Sequence, residues 1–323
     1  MKNKMMRIAS VLLVAALITT CAISGTFAKY VTKVEGTDSA RVAKWGIVLT
    51  VDGNAFAEKY DAEDEAYLAA EGEFSVVSSV EGEKVVAPGT NSELVGDNYV
   101  ATVKGTPEVA TRYTLEGKVT DIVLPAGTYT DYTHLVQAAD GTWGYTDTFT
   151  LAKDYAPVKW NLVISGKGQS IDLADELVAN LGQYLAAAQA YGFSADGCSF
   201  IDAIAIMEKV AGKEAFTEAV ENILANVVSG GRNFTIEASK EDGTFKLGYD
   251  FDPNKAMDFK FELTWEWAFE NGEDADEDGI FDFDPADTYL GNIAAGVVAA
   301  DDIPEGVSTT LDAALKATAV QID

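Results

Sequence analysis

From Phe259 to Glu270 the odd positions are Phe259, Phe261, Leu263, Trp265, Trp267 and Phe269, all large and apolar, while the even positions are Lys260, Glu262, Thr264, Glu266, Ala268 and Glu270. A period of two sends one side of an extended chain into a core, so this run predicts a β-strand with an aromatic inner face. Trp265 and Trp267 sit on that face and are read as sheet core rather than as a platform for stacking sugar rings. Weaker runs rich in β-branched and aromatic residues fall at Trp45–Val51, Ser75–Val80, Glu83–Thr90, Asn98–Val109, Ala110–Leu124 and Trp143–Ala152, separated by Gly, Pro, Asn or Asp. Short strands at this spacing predict a β-sandwich. The acidic, alanine-rich stretch Ala57–Glu73 reads as loop or short helix.

After Gln169 the period changes. From Asp172 to Tyr191, Leu173, Leu177, Leu181 and Leu185 recur every four residues, which predicts one amphipathic helix closed by Gly192. Two more helices are predicted at Phe200–Ala211 and Lys213–Val228, the second closed by Ser229–Gly231. Strand character returns in Asn233–Ser239 and in the aromatic run, and Ser308–Asp323 holds a last strand. The expected architecture is therefore an all-β sandwich spanning 45–323 with an α-helical insertion at about 170–231.

Composition changes this picture in three ways. With 48% hydrophobic and 10% aromatic residues the chain can bury a core, so its formal charge of −29 belongs to a solvated surface rather than to disorder. Lys2, Lys4 and Arg7 precede the apolar run Ile8–Gly25, which is too short for a stable anchor, and Thr26-Phe27-Ala28 fits a small-x-small cleavage site. Residues 1–28 thus read as a signal peptide cut by a signal peptidase between Ala28 and Lys29, giving an exported protein with no stable membrane anchor after cleavage. A lipoprotein reading around Cys21 is disfavoured by Thr20, where Gly, Ala or Ser is needed. Cleavage removes three positive charges and no acid, taking the formal charge from −29 to −32. Nucleic acid and anionic lipid are poor partners for such a surface, and the charge favours cations, cationic surfaces or simply solubility outside the cell. Cys198 is then the sole cysteine, so no intramolecular disulfide forms.

Several motifs taken together carry a resemblance. The signal peptide ending in Gly25–Tyr30 (GTFAKY), then TDSARVAKWGI at 37–47, VVAPGT at 85–90, KGTPEVATRYTLEGKV at 104–119, LTWEWAFE at 263–270 and ADTYLG at 286–291 resemble the TasA/camelysin family of exported Gram-positive proteins. Those proteins are released by a dedicated signal peptidase and include biofilm-matrix fibre subunits. The resemblance implies a jelly-roll-like β-sandwich with helical excursions, and assembly as a homo-polymer or with related matrix subunits. Residues 29–44 are then a mobile N-terminal segment, with Lys29, Tyr30, Val31, Val34 and Gly36 as the donor strand; read from the residues alone, Lys29–Gly36 is either a short pairing strand or a frayed terminus. Such a strand adds to the sheet edge of a neighbour through main-chain hydrogen bonds. The helical insertion and the acidic loop at 271–287 look longer than the family pattern needs.

The acidic loop offers the main candidate chemistry. Asp274, Asp276 and Asp278 take positions 1, 3 and 5 of a calcium-loop register, with Gly279 at 6, the Ile280 carbonyl at 7 and Asp282 at 9. Position 12 is Pro285 instead of a bidentate Glu, and the flanks read as a strand and a turn. A Ca²⁺ site here is not an EF-hand, and Asp284 or Asp287 would supply the missing ligand. Two readings stand: weak Ca²⁺ binding, roughly in the 10⁻⁴–10⁻³ M range of extracellular modules, or a solvated acidic turn.

The camelysin resemblance also raises a metalloprotease reading. Zincin chemistry needs two histidines one helical turn apart with a glutamate base between them, and the chain has one histidine, His134, which reads as an ordinary strand or loop residue. Neither a nucleophile elbow nor a phosphate-binding glycine loop occurs. Cys198 reads as a buried or semi-buried small apolar residue, with an intermolecular disulfide as the alternative. With 52 acidic residues, carboxylate proximity in sequence says nothing about glycosidase chemistry. The expectation is a non-enzymatic secreted subunit of an extracellular matrix or fibre, with a monomeric Ca²⁺- or glycan-binding surface module as the alternative.

Overall fold

The computed structural model describes residues 46–56, 84, 86–95, 99–194, 198–268 and 283–322. The strands are β1 (Ile47–Asp52), β2 (Tyr99–Gly105), β3 (Thr111–Thr120), β4 (Gly127–Thr130), β5 (Val136–Gln137), β6 (Trp143–Gly144), β7 (Thr148–Leu151), β8 (Val158–Gly166), β9 (Gln169–Asp172), β10 (Gly231–Ser239), β11 (Thr244–Phe251), β12 (Met257–Trp267) and β13 (Asp312–Gln321). One antiparallel sheet runs β1-β2-β12-β8-β9 and a second runs β10-β11-β3-β13. Their inner faces pack together, and the chain is an all-β sandwich carrying a helical insertion. Two small ribbons, β4-β7 and β5-β6, project as an arm between β3 and β8.

β12 explains the core. It is a central strand, pairing with β2 and β8, and the second sheet covers its inner face. Met257, Phe259, Phe261, Leu263, Trp265 and Trp267 are all buried, whereas Asp258, Lys260 and Glu266 are exposed. Across the sandwich Phe261 stacks on Tyr113 at 5.9 Å and Phe259 meets Tyr249 at 5.3 Å. Each such aromatic contributes roughly 1.5–3 kcal/mol by leaving water.

The Tyr113 and Tyr249 hydroxyls are buried in this aromatic layer with no hydrogen-bond partner among the described residues. Burial raises the pKa of both phenols well above its ordinary value. Tyr249→Phe keeps the ring packing and deletes an unmet polar group, so the variant is expected to gain about 1 kcal/mol. Urea titration reads this as a higher midpoint at unchanged slope; a lower midpoint would mean that the hydroxyl is bonded.

On the opposite face an ion pair fixes the register of β3 against β11. Arg112 donates to Asp250 through Nε at 2.7 Å and Nη2 at 3.0 Å, and Asn233 Nδ2 adds a third bond at 3.0 Å. Arg112 lies directly opposite Asp250 in the ladder, so a one-residue slip would separate them and turn every inward side chain outward. The Arg112 hydrogen bond is the largest cause holding the Asp250 carboxyl below its usual range.

The helices are α1 (Leu173–Asn180), α2 (Leu185–Gln189), α3 (Phe200–Ala211), α4 (Lys213–Val227) and α5 (Asp284–Ala294). Asp172 caps α1, its carboxylate accepting from the Ala174 and Asp175 amides at 2.9 and 3.2 Å. The single helix expected over Asp172–Tyr191 is instead broken into α1, a 3-10 turn at Gly182–Tyr184 and α2. Gly182 gives the chain too little helix preference to carry the pattern through.

Two other expectations are corrected. The described part of Glu83–Thr90 is a turn rather than a strand: Pro88 has no N–H for a ladder, Gly89 has φ of 84°, and the turn docks on the end of β12 through Gly89 N–H to the Trp267 carbonyl at 2.8 Å. The acidic loop does not extend to residue 287. Asp284–Asp287 form the first turn of α5, where proline is pre-organised and carboxylates face the positive end of the helix dipole. The Asp-rich segment is therefore flanked by a strand and a helix.

The insertion has a definite place. α4 packs on β9 and β10, α3 on β10 and α1 on β8. It therefore covers the side of the sandwich where the edge strands β9 and β10 lie.

Candidate functional site

The other side of the sandwich is where β1 and β13 meet as the edge strands of the two sheets. β13 pairs with β3 from Asp312↔Thr120 to Gln321↔Thr111. The Ile322 amide continues that ladder to the Ala110 carbonyl at 3.0 Å, whereas the Leu315 amide turns away from β3 and donates to the Tyr99 hydroxyl at 3.0 Å. Because antiparallel residues alternate, the N–H and C=O groups of Ala313, Leu315, Ala317 and Ala319 all face away from β3. No described strand pairs with that side of β13, nor with the side of β1 away from β2.

The apolar rows behind this edge are incompletely covered. Ile47, Leu49 and Val51 of β1, with Ala313, Leu315 and Ala317 of β13, pack against the core yet are only partly buried. Small alanines on β13 leave the inner face shallow. Among the described residues the outward backbone groups of Ala313, Ala317 and Ala319 meet no strand, while the Leu315 amide is taken by the Tyr99 hydroxyl; such an edge beside a shallow apolar row is a template for another strand, which is why most proteins shield such edges.

A second feature is the seat of α5. The Asp287 carboxyl is buried and accepts from the Tyr155 hydroxyl at 2.7 Å and from Trp267 Nε1 at 3.3 Å. Tyr155 in turn stacks on Phe283 at 4.8 Å, next to the start of the helix. Burial pushes the Asp287 carboxyl up to about 7, against the lowering effect of both hydrogen bonds, and the neighbouring Asp284 charge adds to the rise. Asp287 is thus committed to docking the helix and is turned inward, away from the role of an extra Ca²⁺ ligand.

A cleft of about 920 Å³ opens between sandwich and insertion, with Asp121, Trp160, Cys198, Asp202, Lys209 and Lys240 on its walls. Trp160 Nε1 donates to Asp121 at 2.6 Å, and Lys240 pairs with Asp202 at 3.0 Å. Burial, with Asp202 as the next cause, pushes the Cys198 thiol up to about 11, so it is protonated and unreactive at neutral pH. His134 is elsewhere, exposed on the β4–β7 arm and bonded to Thr133 Oγ1 at 3.0 Å and Asp147 Oδ2 at 3.2 Å.

The expected cleavage residues Ala28 and Lys29, the donor residues Tyr30, Val31, Val34 and Gly36, and the loop residues Asp274, Asp276, Asp278, Ile280 and Asp282 lie outside the described residues. Of the expected Ca²⁺ ligands only Asp284, which opens α5, and the alternative Asp287 are among the described residues. No cluster of three or more His, Cys, Asp or Glu side chains suited to a metal occurs among the described residues. None of the described helices is long and apolar enough to cross a membrane. The Asp287 seat escaped sequence reading because Tyr155 is 132 positions away; Pro285 just inside a helix start was the local signal available.

Comparison with known proteins finds no matching family model, no matching curated protein and no matching solved structure.

Proposed function

We propose that the mature chain is a secreted structural subunit of an extracellular matrix or fibre, and that it assembles when Lys29–Gly36 of one subunit adds as a strand to the β1/β13 side of the next. The observation that carries this reading is the outward-facing backbone of β13 beside a shallow apolar row. The helical insertion supports it by its position, since it shields the β9/β10 side and leaves the opposite side to a partner. Tyr30, Val31 and Val34 supply apolar side chains for that row, and Lys29 and Lys33 bring positive charge to an acidic neighbour. Because subunits of formal charge −32 repel one another, assembly strengthens as salt or divalent cations screen them.

The test is light scattering after size-exclusion chromatography, with negative-stain microscopy, on Lys29–Asp323 and on the same chain lacking Lys29–Gly36. The full mature chain forms a concentration-dependent ladder or fibres, and the shortened chain stays monomeric with an unchanged circular dichroism spectrum. Polymers that persist in the shortened chain defeat strand donation by this segment. A strictly monomeric mature chain, with or without Ca²⁺, defeats the fibre reading itself.

A further inference from the structure

The exposed large apolar side chains of the described residues are concentrated. Of seven, Leu135 (51% exposed), Trp143 (63%) and Tyr145 (43%) lie within eleven positions of one another on the β4–β7 arm. The β5-β6 register pairs Val136 with Gly144 and Gln137 with Trp143, and the Ala138 amide reaches the Thr142 carbonyl at 2.8 Å. Continued by one step, the same register sets Leu135 opposite Tyr145. Opposed residues share a face and faces alternate, so Leu135, Gln137, Trp143 and Tyr145 form one face of the ribbon, with Val136 and Gly144 on the other. The first face is the exposed one and the second is half-buried. This inverts the usual order, in which bulky side chains face the core and polar ones face water.

The face is braced from below. The Tyr132 ring meets Tyr145 edge-on at 4.8 Å and Tyr289 of α5 at 5.9 Å, linking the ribbon to the body of the protein. Its Lys, Arg, Asp and Glu charges have one sign, with His134 bonded to Asp147. No Lys or Arg occurs between Lys118 and Lys153, while the arm carries Asp131, Asp140 and Asp147. At the ribbon tip the Thr142 hydroxyl and amide hold the Asp140 carboxyl below its usual range, so it is ionised at neutral pH.

We propose that this ribbon face binds a polysaccharide bearing protonated amino groups, an amino-sugar polymer with free amines. Flat sugar rings stack on Trp143 and Tyr145, the Gln137 amide offers hydrogen bonds to hydroxyls, and ammonium groups meet aromatic faces and the carboxylates at the ribbon's ends. An acidic polymer is repelled by the charge of the arm and of the whole chain. A second copy of the chain brings acidic surface rather than the cations that the arm's carboxylates would attract. The proposal is independent of the assembly reading, since it uses neither β1, β13 nor the N-terminal segment.

The test is calorimetric titration of Lys29–Asp323 at physiological salt with glucosamine hexamer, its fully N-acetylated counterpart and lysine hexamer. The glucosamine hexamer is expected to bind, with affinity lowered about tenfold or more by Trp143→Ala and largely kept by Trp143→Phe, and the acetylated hexamer to bind at least about tenfold more weakly. Trp143 is exposed, so both variants keep the fold, as circular dichroism verifies. Absence of glucosamine-hexamer binding at millimolar concentration overturns the proposal, as does binding that Trp143→Ala leaves unchanged. Equal binding of the acetylated hexamer removes the role of the amine. A lysine hexamer that binds as tightly with the same dependence on Trp143 replaces the sugar by a cationic peptide. Self-association that Trp143→Ala abolishes assigns the face to a second copy instead.

Discussion

On the strand donation proposed above, replacing Ala317 by proline is expected to leave a folded monomer unable to assemble. Ala317 is an odd position of β13, in phase with Leu315, whose amide faces away from β3. Proline there removes an outward N–H and inserts a ring where an incoming strand must pair, while the bonds between β13 and β3 stay intact. Edge strands tolerate proline at such positions for this reason. Thr318→Pro is the internal control: its N–H faces β3, so the substitution breaks a ladder bond and lowers the melting temperature well below that of Ala317→Pro. Light scattering on the two variants beside the parent separates the cases. An Ala317→Pro chain that polymerises like the parent removes β13 as the acceptor edge. One that melts as early as Thr318→Pro shows that the alternation along β13 is out of phase with this account.

The sandwich was legible where one face of a strand had to be apolar. β12 announces itself because both neighbours are strands and one face looks into the core, so nothing disturbs its alternation. α3 likewise spans the predicted Phe200–Ala211, with a repeating apolar stripe and Gly212 at φ of 79° to end it. β11 was not legible, because Gly248 and the buried Asp250 interrupt its pattern, and Asp250 makes sense only beside Arg112, which is 138 positions away. The run Trp143–Ala152, expected as one strand, is two short ones, β6 and β7, with Tyr145–Asp147 between them. The β13 edge was invisible for a more general reason. A strand's sequence shows which side chains face inward, but whether its backbone is paired on one side or on two depends on which strands fold beside it. Apolar side chains at exposed positions show the same limit: the row Phe259–Trp267 and the pair Trp143/Tyr145 are alike as sequence, and only what packs on each face makes one a core and the other a surface.

Asp287→Asn is expected to stabilise the protein at pH 8 and to remove most of the pH dependence between about 4 and 7. The native carboxyl titrates near 7, against an ordinary value of 3.8. A carboxyl raised in the folded state binds its proton more tightly there than in the unfolded chain, so stability falls as pH rises from the lower value to the higher one. The gap corresponds to an upper figure of about 4 kcal/mol at pH above 7. Its origin is the geometry of the α5 seat, where the charge of a buried carboxylate is met by Tyr155 and Trp267, two uncharged donors. Asparagine keeps the shape, accepts from Trp267 through its amide oxygen and donates its amide to the Tyr155 oxygen, which can accept as well as donate. Asp121 and Asp172 are also raised, chiefly by burial, but both are present in parent and variant and cancel in the difference. Asp250, held low by Arg112, loses its contribution only as pH falls through its folded value, below the window in question. Urea unfolding of the two proteins at half-unit pH steps gives the difference curve directly. A difference that grows in favour of the variant through the neutral range identifies Asp287 as the group responsible. A variant less stable than the parent at pH 8 would mean that the ionised carboxylate, rather than the protonated acid, is the form that holds α5 on the sandwich.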